Sequence, residues 1–197
     1  MKNPCSGAGF IRAFFLTALI CLCAAASASA QSAAFSTQSY PLLGNNHVAV
    51  DLNGDGILDL AGTGVDTAAV MLGNADGTFR AKVDYPVGGQ AQDLAAGDFN
   101  SDGRVDLAVT IYTQHTSLSL LTGNGDGTFN APANFPNTSG ADSPAIAVTD
   151  LNNDGWLDVV LAHQIACFTA PCVASLTMTV MLGNGDGTFQ PGREILI

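Results

Sequence analysis

The chain repeats one acidic motif three times, and this repetition limits the possible folds more than any other feature of the sequence. Residues 51–59, 98–106 and 150–158, which we call the Asp loops, read DLNGDGILD, DFNSDGRVD and DLNNDGWLD. Residues 73–79, 123–129 and 183–189, the Gly-Asp turns, read GNADGTF, GNGDGTF and GNGDGTF. A weaker aromatic–proline element occurs at Tyr40-Pro41, Tyr85-Pro86 and Phe135-Pro136. A period of this length predicts repeated copies of one small structural unit.

The segments between these motifs are short, aliphatic and of strand length. Candidate strands enter the Asp loops at 48–50 and 146–148, leave them at 58–61, 105–111 and 157–161, and enter the Gly-Asp turns at 69–72, 118–121 and 177–182. No segment carries a helical stripe, and Gly and Asp bound each one. Four strands in about 50 residues are typical of a β-propeller blade. We therefore predict an all-β fold of three four-stranded propeller-type blades, an incomplete or open propeller, with repeats at about 38–84, 85–134 and 135–197.

Each Asp loop alternates oxygen-bearing side chains. Positions 1, 3, 5 and 9 are Asp, Asn, Asp and Asp, position 6 is Gly, and position 7 offers its backbone carbonyl. Ca²⁺ takes hard oxygen ligands, and glycine lets the chain curl around the ion. The loops therefore predict about three Ca²⁺ ions as cofactors. The predicted ligands are Asp51, Asn53, Asp55, Ile57 and Asp59; Asp98, Asn100, Asp102, Arg104 and Asp106; and Asp150, Asn152, Asp154, Trp156 and Asp158.

Two alternatives compete with these calcium sites. An EF-hand needs flanking helices and a Glu at position 12, whereas position 12 is Gly62, Val109 or Leu161 inside a predicted strand. A cluster of Asx turns without metal would explain one loop. Three loops that each gather three carboxylates favour a bound cation, because unneutralised carboxylates repel one another. The aspartates of the Gly-Asp turns are expected to form turns rather than to bind metal.

Both motifs resemble the FG-GAP/VCBS repeats of secreted bacterial proteins, which are similar to the calcium-loop blades of the integrin α-subunit N-terminal propeller. Residues 98–109, DFNSDGRVDLAV, are very close to that pattern, and the resemblance covers about residues 38–197. It implies a propeller fold, calcium in the Asp loops, and a binding or cell-adhesion role. It names no ligand. Because closed propellers have about four to eight blades, three repeats predict self-association or a piece of a longer propeller.

The first 30 residues predict a secretory signal peptide. Lys2 and Arg12 precede an apolar run at 14–26, and small residues at 28–30 mark a cleavage site before Gln31. A membrane anchor is disfavoured because the run is shorter than the ~20 residues needed to span a bilayer. A lipoprotein is disfavoured because no small residue directly precedes Cys21 or Cys23. The expected location is secreted, periplasmic or cell-surface, with no membrane span after cleavage.

Cleavage at this site would leave two cysteines and a strongly acidic chain. Cys167 and Cys172 are predicted to form a disulfide in an oxidising compartment. The cleaved segment carries two bases and no acid, so the net charge changes from −11 to −13. This acidity excludes a nucleic-acid partner, because phosphates are neutralised by Lys and Arg. With one Glu and three dispersed His, the chain is predicted not to be an enzyme, and no catalytic residue is assigned.

The function predicted from the sequence is that of an exported calcium-binding repeat protein acting as an extracellular binding or adhesion module. A lectin-like carbohydrate binder, or a truncated or accessory blade set of a larger secreted enzyme, are the alternatives. The expected partner is an unidentified extracellular protein or glycan. The long connection that carries Cys167 and Cys172 is a candidate recognition loop, because insertions in repeat proteins tend to lie on the functional face. A tolerated surface loop without a binding role is the alternative.

Overall fold

The computed structural model describes residues 46–112, 117–136, 145–165 and 175–196, all within the compact unit Tyr40–Ile197. Within these ranges the backbone forms strands and no helix, so no described segment could cross a membrane as a helix. In chain order the strands are β1 (His47–Val50), β2 (Asp59–Thr63), β3 (Thr67–Met71), β4 (Val83–Pro86), β5 (Gln90–Gly97), β6 (Asp106–Tyr112), β7 (Ser117–Leu121), β8 (Ala133–Pro136), β9 (Ala145–Thr149), β10 (Asp158–Ile165), β11 (Ser175–Met181) and β12 (Arg193–Leu196).

The strands form three antiparallel four-stranded sheets, each in simple chain order: β1-β2-β3-β4, β5-β6-β7-β8 and β9-β10-β11-β12. We call these blades 1, 2 and 3. The all-β, propeller-type fold predicted from the sequence is confirmed. The two described aromatic–proline pairs end the outer strands of blades 1 and 2, since Tyr85-Pro86 closes β4 and Phe135-Pro136 closes β8. Tyr40-Pro41 lies outside the described residues. Blades 1 and 2 therefore end at Pro86 and Pro136, two residues beyond the predicted repeat boundaries at 84 and 134.

The central blade is buried on both sides. In β6 the six residues from Asp106 to Ile111 are all buried, and only Tyr112 is exposed. Alternate residues of a strand point to opposite faces, and here Leu107 and Val109 pack toward blade 1 whereas Ala108 packs toward blade 3. A sheet covered on both faces needs a nearly continuous apolar run, which explains why β6 lacks the alternation of a half-exposed strand.

Aromatic pairs join successive blades. The ring of Phe129, in the Gly-Asp turn of blade 2, lies 5.4 Å from that of Tyr85 in blade 1, at an interplanar angle of 78°. In the same way, Phe189 of blade 3 lies 5.1 Å from Phe135 of blade 2, at 87°. Edge-to-face pairs at these distances are favourable beyond the area they bury. The aromatic–proline element of one blade is thus the contact for the turn phenylalanine of the next.

Candidate metal centre

Each Asp loop lies between the first two strands of a blade. The register pairs Val50 with Asp59, Gly97 with Asp106 and Thr149 with Asp158. The residue just before position 1 therefore pairs with the residue at position 9. The sheet holds both ends of the loop between them. The three loops consequently occupy equivalent places at the same end of the three blades.

The aspartate at position 1 organises its loop by accepting backbone amides. Asp51 accepts hydrogen bonds from Gly54 at 2.8 Å, Asp55 at 3.2 Å and Gly56 at 2.7 Å. Asp98 and Asp150 accept the amides at positions 5 and 6 of their own loops. The amide of Gly56 is the main reason that the pKa of Asp51 lies below its ordinary value. The side chain thus remains an anion while the backbone curls around it.

The loop curls through two left-handed residues rather than the one that the sequence indicated. Position 6 has φ of 80° in Gly56 and Gly103 and 92° in Gly155, as expected for glycine. Position 4 is also left-handed, with φ of 74°, 59° and 60° in Gly54, Ser101 and Asn153. Gly and Asn adopt this conformation most readily. Their presence at position 4 was the available signal for the second left-handed residue.

Positions 3 and 5 form the same exposed hydrogen-bond pattern in every loop. In the first loop, Asn53 Oδ1 accepts the amide of Asp55 at 2.9 Å, and Asn53 Nδ2 donates to Asp55 Oδ2 at 3.0 Å. The other Asp55 oxygen accepts the amide of Ile57 at 2.8 Å. The second and third loops repeat these bonds. The sequence therefore builds one oxygen-rich arrangement three times.

The position-9 carboxylates are buried clamps, a role that the sequence did not reveal. Asp106 accepts the amide of Phe99 at 3.0 Å on one oxygen and the amide of Gly123 at 2.8 Å on the other. Burial is the largest influence on Asp106 and raises its pKa, and the nearby charges of Asp102 and Asp98 raise it further. The equivalent pairs of bonds join Asp59 to Leu52 and Gly73, and Asp158 to Leu151 and Gly183. Each clamp fastens an Asp loop to the Gly-Asp turn of the same blade.

Glycine is required where the clamp meets the turn. A Cβ atom on Gly123 would lie 2.2 Å from the carbonyl oxygen of Val105, and one on Gly73 would lie 2.4 Å from that of Leu58. Real side chains do not approach a backbone oxygen so closely. The first glycine of each turn is therefore needed for close approach, and not for a left-handed conformation.

The donor atoms of the Asp loops fit Ca²⁺ by their chemistry. All the predicted ligands offer oxygen, the ligand that this ion prefers. A carboxylate oxygen has two lone pairs, so the amides bonded to Asp51 leave acceptor capacity on its carboxylate. Within the described residues, no group of three or more His, Cys, Asp or Glu side chains converges as a metal site. The loop carboxylates are instead each engaged with amides, and Asn and carbonyl oxygens supply the rest of the predicted set.

The side chain at position 7 packs against the Gly-Asp turn of the same blade. A Cβ on Gly185 would lie 2.4 Å from Trp156 Nε1, and a Cβ on Gly125 would lie 3.1 Å from Arg104 Cδ. Trp156 is 43% exposed and is the chain's single tryptophan. Its fluorescence therefore reports on the third Asp loop alone.

The aspartates of the Gly-Asp turns bind their own threonines. Asp126 Oδ1 accepts the hydroxyl of Thr128 at 2.5 Å and the amide of Thr128 at 2.9 Å. Asp76 and Asp186 do the same with the threonine two residues later. The threonine hydroxyl is the largest influence on all three carboxyls, and it lowers the pKa of each. These side chains are exposed, and the Oδ1 oxygen of each is bonded within the turn.

Replacement of Thr128 by valine is expected to raise the pKa of Asp126 toward its ordinary value, because the substitution removes the hydroxyl donor. The lowered pKa means that this bond stabilises the fold above the carboxyl's unfolded-state pKa, and that the stabilisation is lost as pH falls through the folded-state value. Carboxyl NMR titration measures the change, with Asp76 as the internal control. An unmoved Asp126 pKa would contradict this assignment.

Two groups of predicted residues lie outside the described part of the chain. Cys167 and Cys172 fall in the undescribed range 166–174, so their disulfide remains a prediction. The predicted signal peptide, residues 1–30, lies in the undescribed range 1–45.

A family model for the FG-GAP-like repeat matches residues 51–109 and 98–161. Among solved structures, the Photorhabdus luminescens Tc holotoxin pore is similar over 78% of this chain and 7% of its own, with 18% identity and a TM-score of 0.48. An Agrocybe aegerita lectin specific for non-reducing terminal N-acetylglucosamine is 17% identical over 77% of this chain and 67% of its own, with a TM-score of 0.26. The chain thus spans a small part of the toxin chain. No curated protein sequence matches it.

Proposed function

The chain belongs to the FG-GAP-like repeat family, and from that premise we propose that it is an exported calcium-binding module that recognises an extracellular partner without catalysing a reaction. The observation that carries the proposal is the threefold identity of the Asp loops. Each loop exposes the oxygens of positions 3 and 5 in the same hydrogen-bond pattern and has its ends fixed by the blade.

Calcium would be held by the aspartates, the asparagine and the position-7 carbonyl of each loop. When bound, the ion would neutralise carboxylates that the fold crowds together. Burial is the main cause of the raised pKa of Asp106, and the charges of Asp102 and Asp98 raise it further, which supports crowding in the second loop. The role proposed for the ion is therefore structural, since it would hold loops whose charges otherwise repel.

A binding role rather than catalysis is supported by the location of the acidic residues, because few of them lie outside the two repeated motifs. The Asp loops and Gly-Asp turns contain twelve of the 17 acids. Their described hydrogen bonds come from backbone amides, from the position-3 asparagines and from the turn threonines. Blades hold their loops on a rigid sheet, an arrangement that suits recognition by connecting segments. The apolar N-terminal segment supports an extracellular or periplasmic location as part of the same proposal.

A glycan is the second candidate ligand, on the strength of one observation. Trp156 is 43% exposed, and its indole lies against Gly185. The indole is apolar on its face and carries a polar N–H group at its edge. Such a ring suits a ligand that has both apolar surface and hydrated polar groups. A glycan array measured with and without Ca²⁺ would test this candidate, and binding that survives Trp156→Ala would count against it.

Titration calorimetry tests calcium binding directly. We expect about three sites with Kd of roughly 10⁻⁴–10⁻³ M, the range of extracellular calcium modules. Asp102→Ala should remove the site of the second loop, because it deletes a predicted ligand. Asp126→Ala is the matched control, since that aspartate is bonded within its turn. Absence of binding at millimolar Ca²⁺, or equal losses in the two variants, would contradict the proposal.

A further inference from the structure

The three Asp loops differ in charge at position 7. The side chains there are Ile57, Arg104 and Trp156, so the second loop carries a cation where the other two carry neutral groups. All three loops have the same aspartates at positions 1, 5 and 9 and the same asparagine at position 3. With three aspartates and one arginine, the second loop has a formal charge of −2, whereas the other two have −3.

The guanidinium of Arg104 lies beside a predicted calcium ligand of its own loop. Its Nη1 atom is 4.0 Å from Asp102 Oδ2, and the other Asp102 oxygen accepts the Arg104 amide at 2.9 Å. Asp102 occupies position 5, and both side chains are exposed. A positive charge is therefore already present next to a carboxylate that a bound ion would use.

The Gly-Asp turn of the same blade supports the arginine in this place. A Cβ atom on Gly125 would lie 3.1 Å from Arg104 Cδ and 3.2 Å from its Nε, so the side chain packs on the bare backbone of the turn. Its charge also acts on the turn aspartate. The pKa of Asp126 is lowered mainly by the Thr128 hydroxyl and further by Arg104. The pKa values of the other two turn aspartates are lowered by hydrogen bonds within their turns.

Calcium affinity depends on the charge that a loop offers to the ion. Ligand charge is one of the features by which calcium loops tune their dissociation constants, and a cation beside the site repels the incoming ion. Charges 4 Å apart interact measurably even in water, although solvent weakens the interaction of exposed groups. An exposed guanidinium at this distance should weaken the binding of a divalent ion by about three- to tenfold.

We propose that the Arg104 side chain sets the calcium affinity of the second Asp loop and makes it the weakest of the three sites. This role rests on the proposed calcium binding. It belongs to the side chain, because the backbone carbonyl at position 7 is common to all three loops. The second site should therefore fill last as the calcium concentration rises.

A chain with one complete loop tests this role. Asp55→Ala and Asp154→Ala together remove two exposed ligands and leave the second loop intact. In that chain, titration calorimetry should give a Kd about three- to tenfold lower after Arg104→Gln, which removes the charge and keeps the carbonyl. Arg104→Lys is the matched control, since it retains the charge and should leave the Kd within about twofold. In the otherwise unchanged chain, Arg104→Gln should tighten one of the three sites by the same factor.

Two further measurements separate charge from packing. The ratio of the Kd values with arginine and with glutamine should fall toward one between about 0.1 M and 1 M KCl, because the Debye length shrinks from about 10 Å to about 3 Å. In a chain that keeps only the third loop, through Asp55→Ala and Asp102→Ala, Trp156→Arg should weaken binding by a similar factor. Gly185 there offers the same bare turn backbone. Trp156→Leu is the neutral control and should not weaken binding in this way.

Calcium binding by the intact chain separates failure of this role from failure of the proposed function. If the intact chain and all variants fail to bind millimolar Ca²⁺, both are overturned. If the intact chain binds Ca²⁺ but Arg104→Gln and Arg104→Lys give the same Kd, only the role of Arg104 is overturned. A second site as tight as the third, or a Kd ratio that does not change with salt, would also overturn it.

Discussion

Replacement of Asp106 by alanine is expected to lower the free energy of unfolding by about 2–6 kcal/mol. The substitution leaves the buried amides of Phe99 and Gly123 without their acceptors. Each unpaired amide costs about 1–3 kcal/mol, and the total stability of a domain is only about 5–15 kcal/mol. Because the clamp joins the Asp loop to the Gly-Asp turn, its loss should loosen both. Denaturant unfolding measures the change.

Two comparisons make the Asp106 prediction specific. Asp126→Ala removes an equally charged side chain from an exposed turn and should cost no more than about 1 kcal/mol. Asp106→Asn keeps the shape and one acceptor oxygen, so its cost should lie between the two. If Asp106→Ala proved as mild as Asp126→Ala, the buried bonds would not be the clamp described above.

Calcium is expected to produce the largest change in stability. At about 10 mM Ca²⁺ and Kd of roughly 10⁻⁴–10⁻³ M, each site that binds only the folded state adds about 1.4–2.7 kcal/mol. Three independent sites would add about 4–8 kcal/mol. The physical reason is that the ion neutralises carboxylates which folding brings together. Thermal or denaturant unfolding with Ca²⁺, compared with chelator, measures the effect.

Variants in one loop at a time should show how much of the calcium-dependent stability each blade contributes. Asp55→Ala, Asp102→Ala and Asp154→Ala should each remove about a third of the added stability, because each deletes one ligand from one loop. Trp156 lies in the third loop, so Asp154→Ala should also abolish its fluorescence response, whereas Asp55→Ala should preserve it. Mg²⁺ should stabilise less, because it demands smaller octahedral sites. Equal stability in Ca²⁺ and chelator would contradict the calcium proposal.

Local chemistry explains why much of the fold could be predicted. The Asp loops and Gly-Asp turns are closed by bonds within a few residues, such as Asp51 to Gly56 and Asp126 to Thr128. Short aliphatic runs between turn residues then leave little choice but strands. At position 4, Gly54 and Asn153 are residue types that adopt the left-handed conformation readily, whereas Ser101 gave no such signal.

The sequence by itself determined three four-stranded blades, the loops that carry the carboxylates, and the turns that close each blade, because all of these depend on residue types at short spacing. The tertiary structure alone decided what the position-9 aspartates and the aromatic–proline pairs do. Asp106 meets Gly123, 17 residues away, and Tyr85 meets Phe129 in another blade. It also decided that Leu118 is fully buried while its equivalent Met178 is partly exposed. Such contacts depend on how sheets stack, and the pattern within one strand is the same whether or not a neighbour covers it.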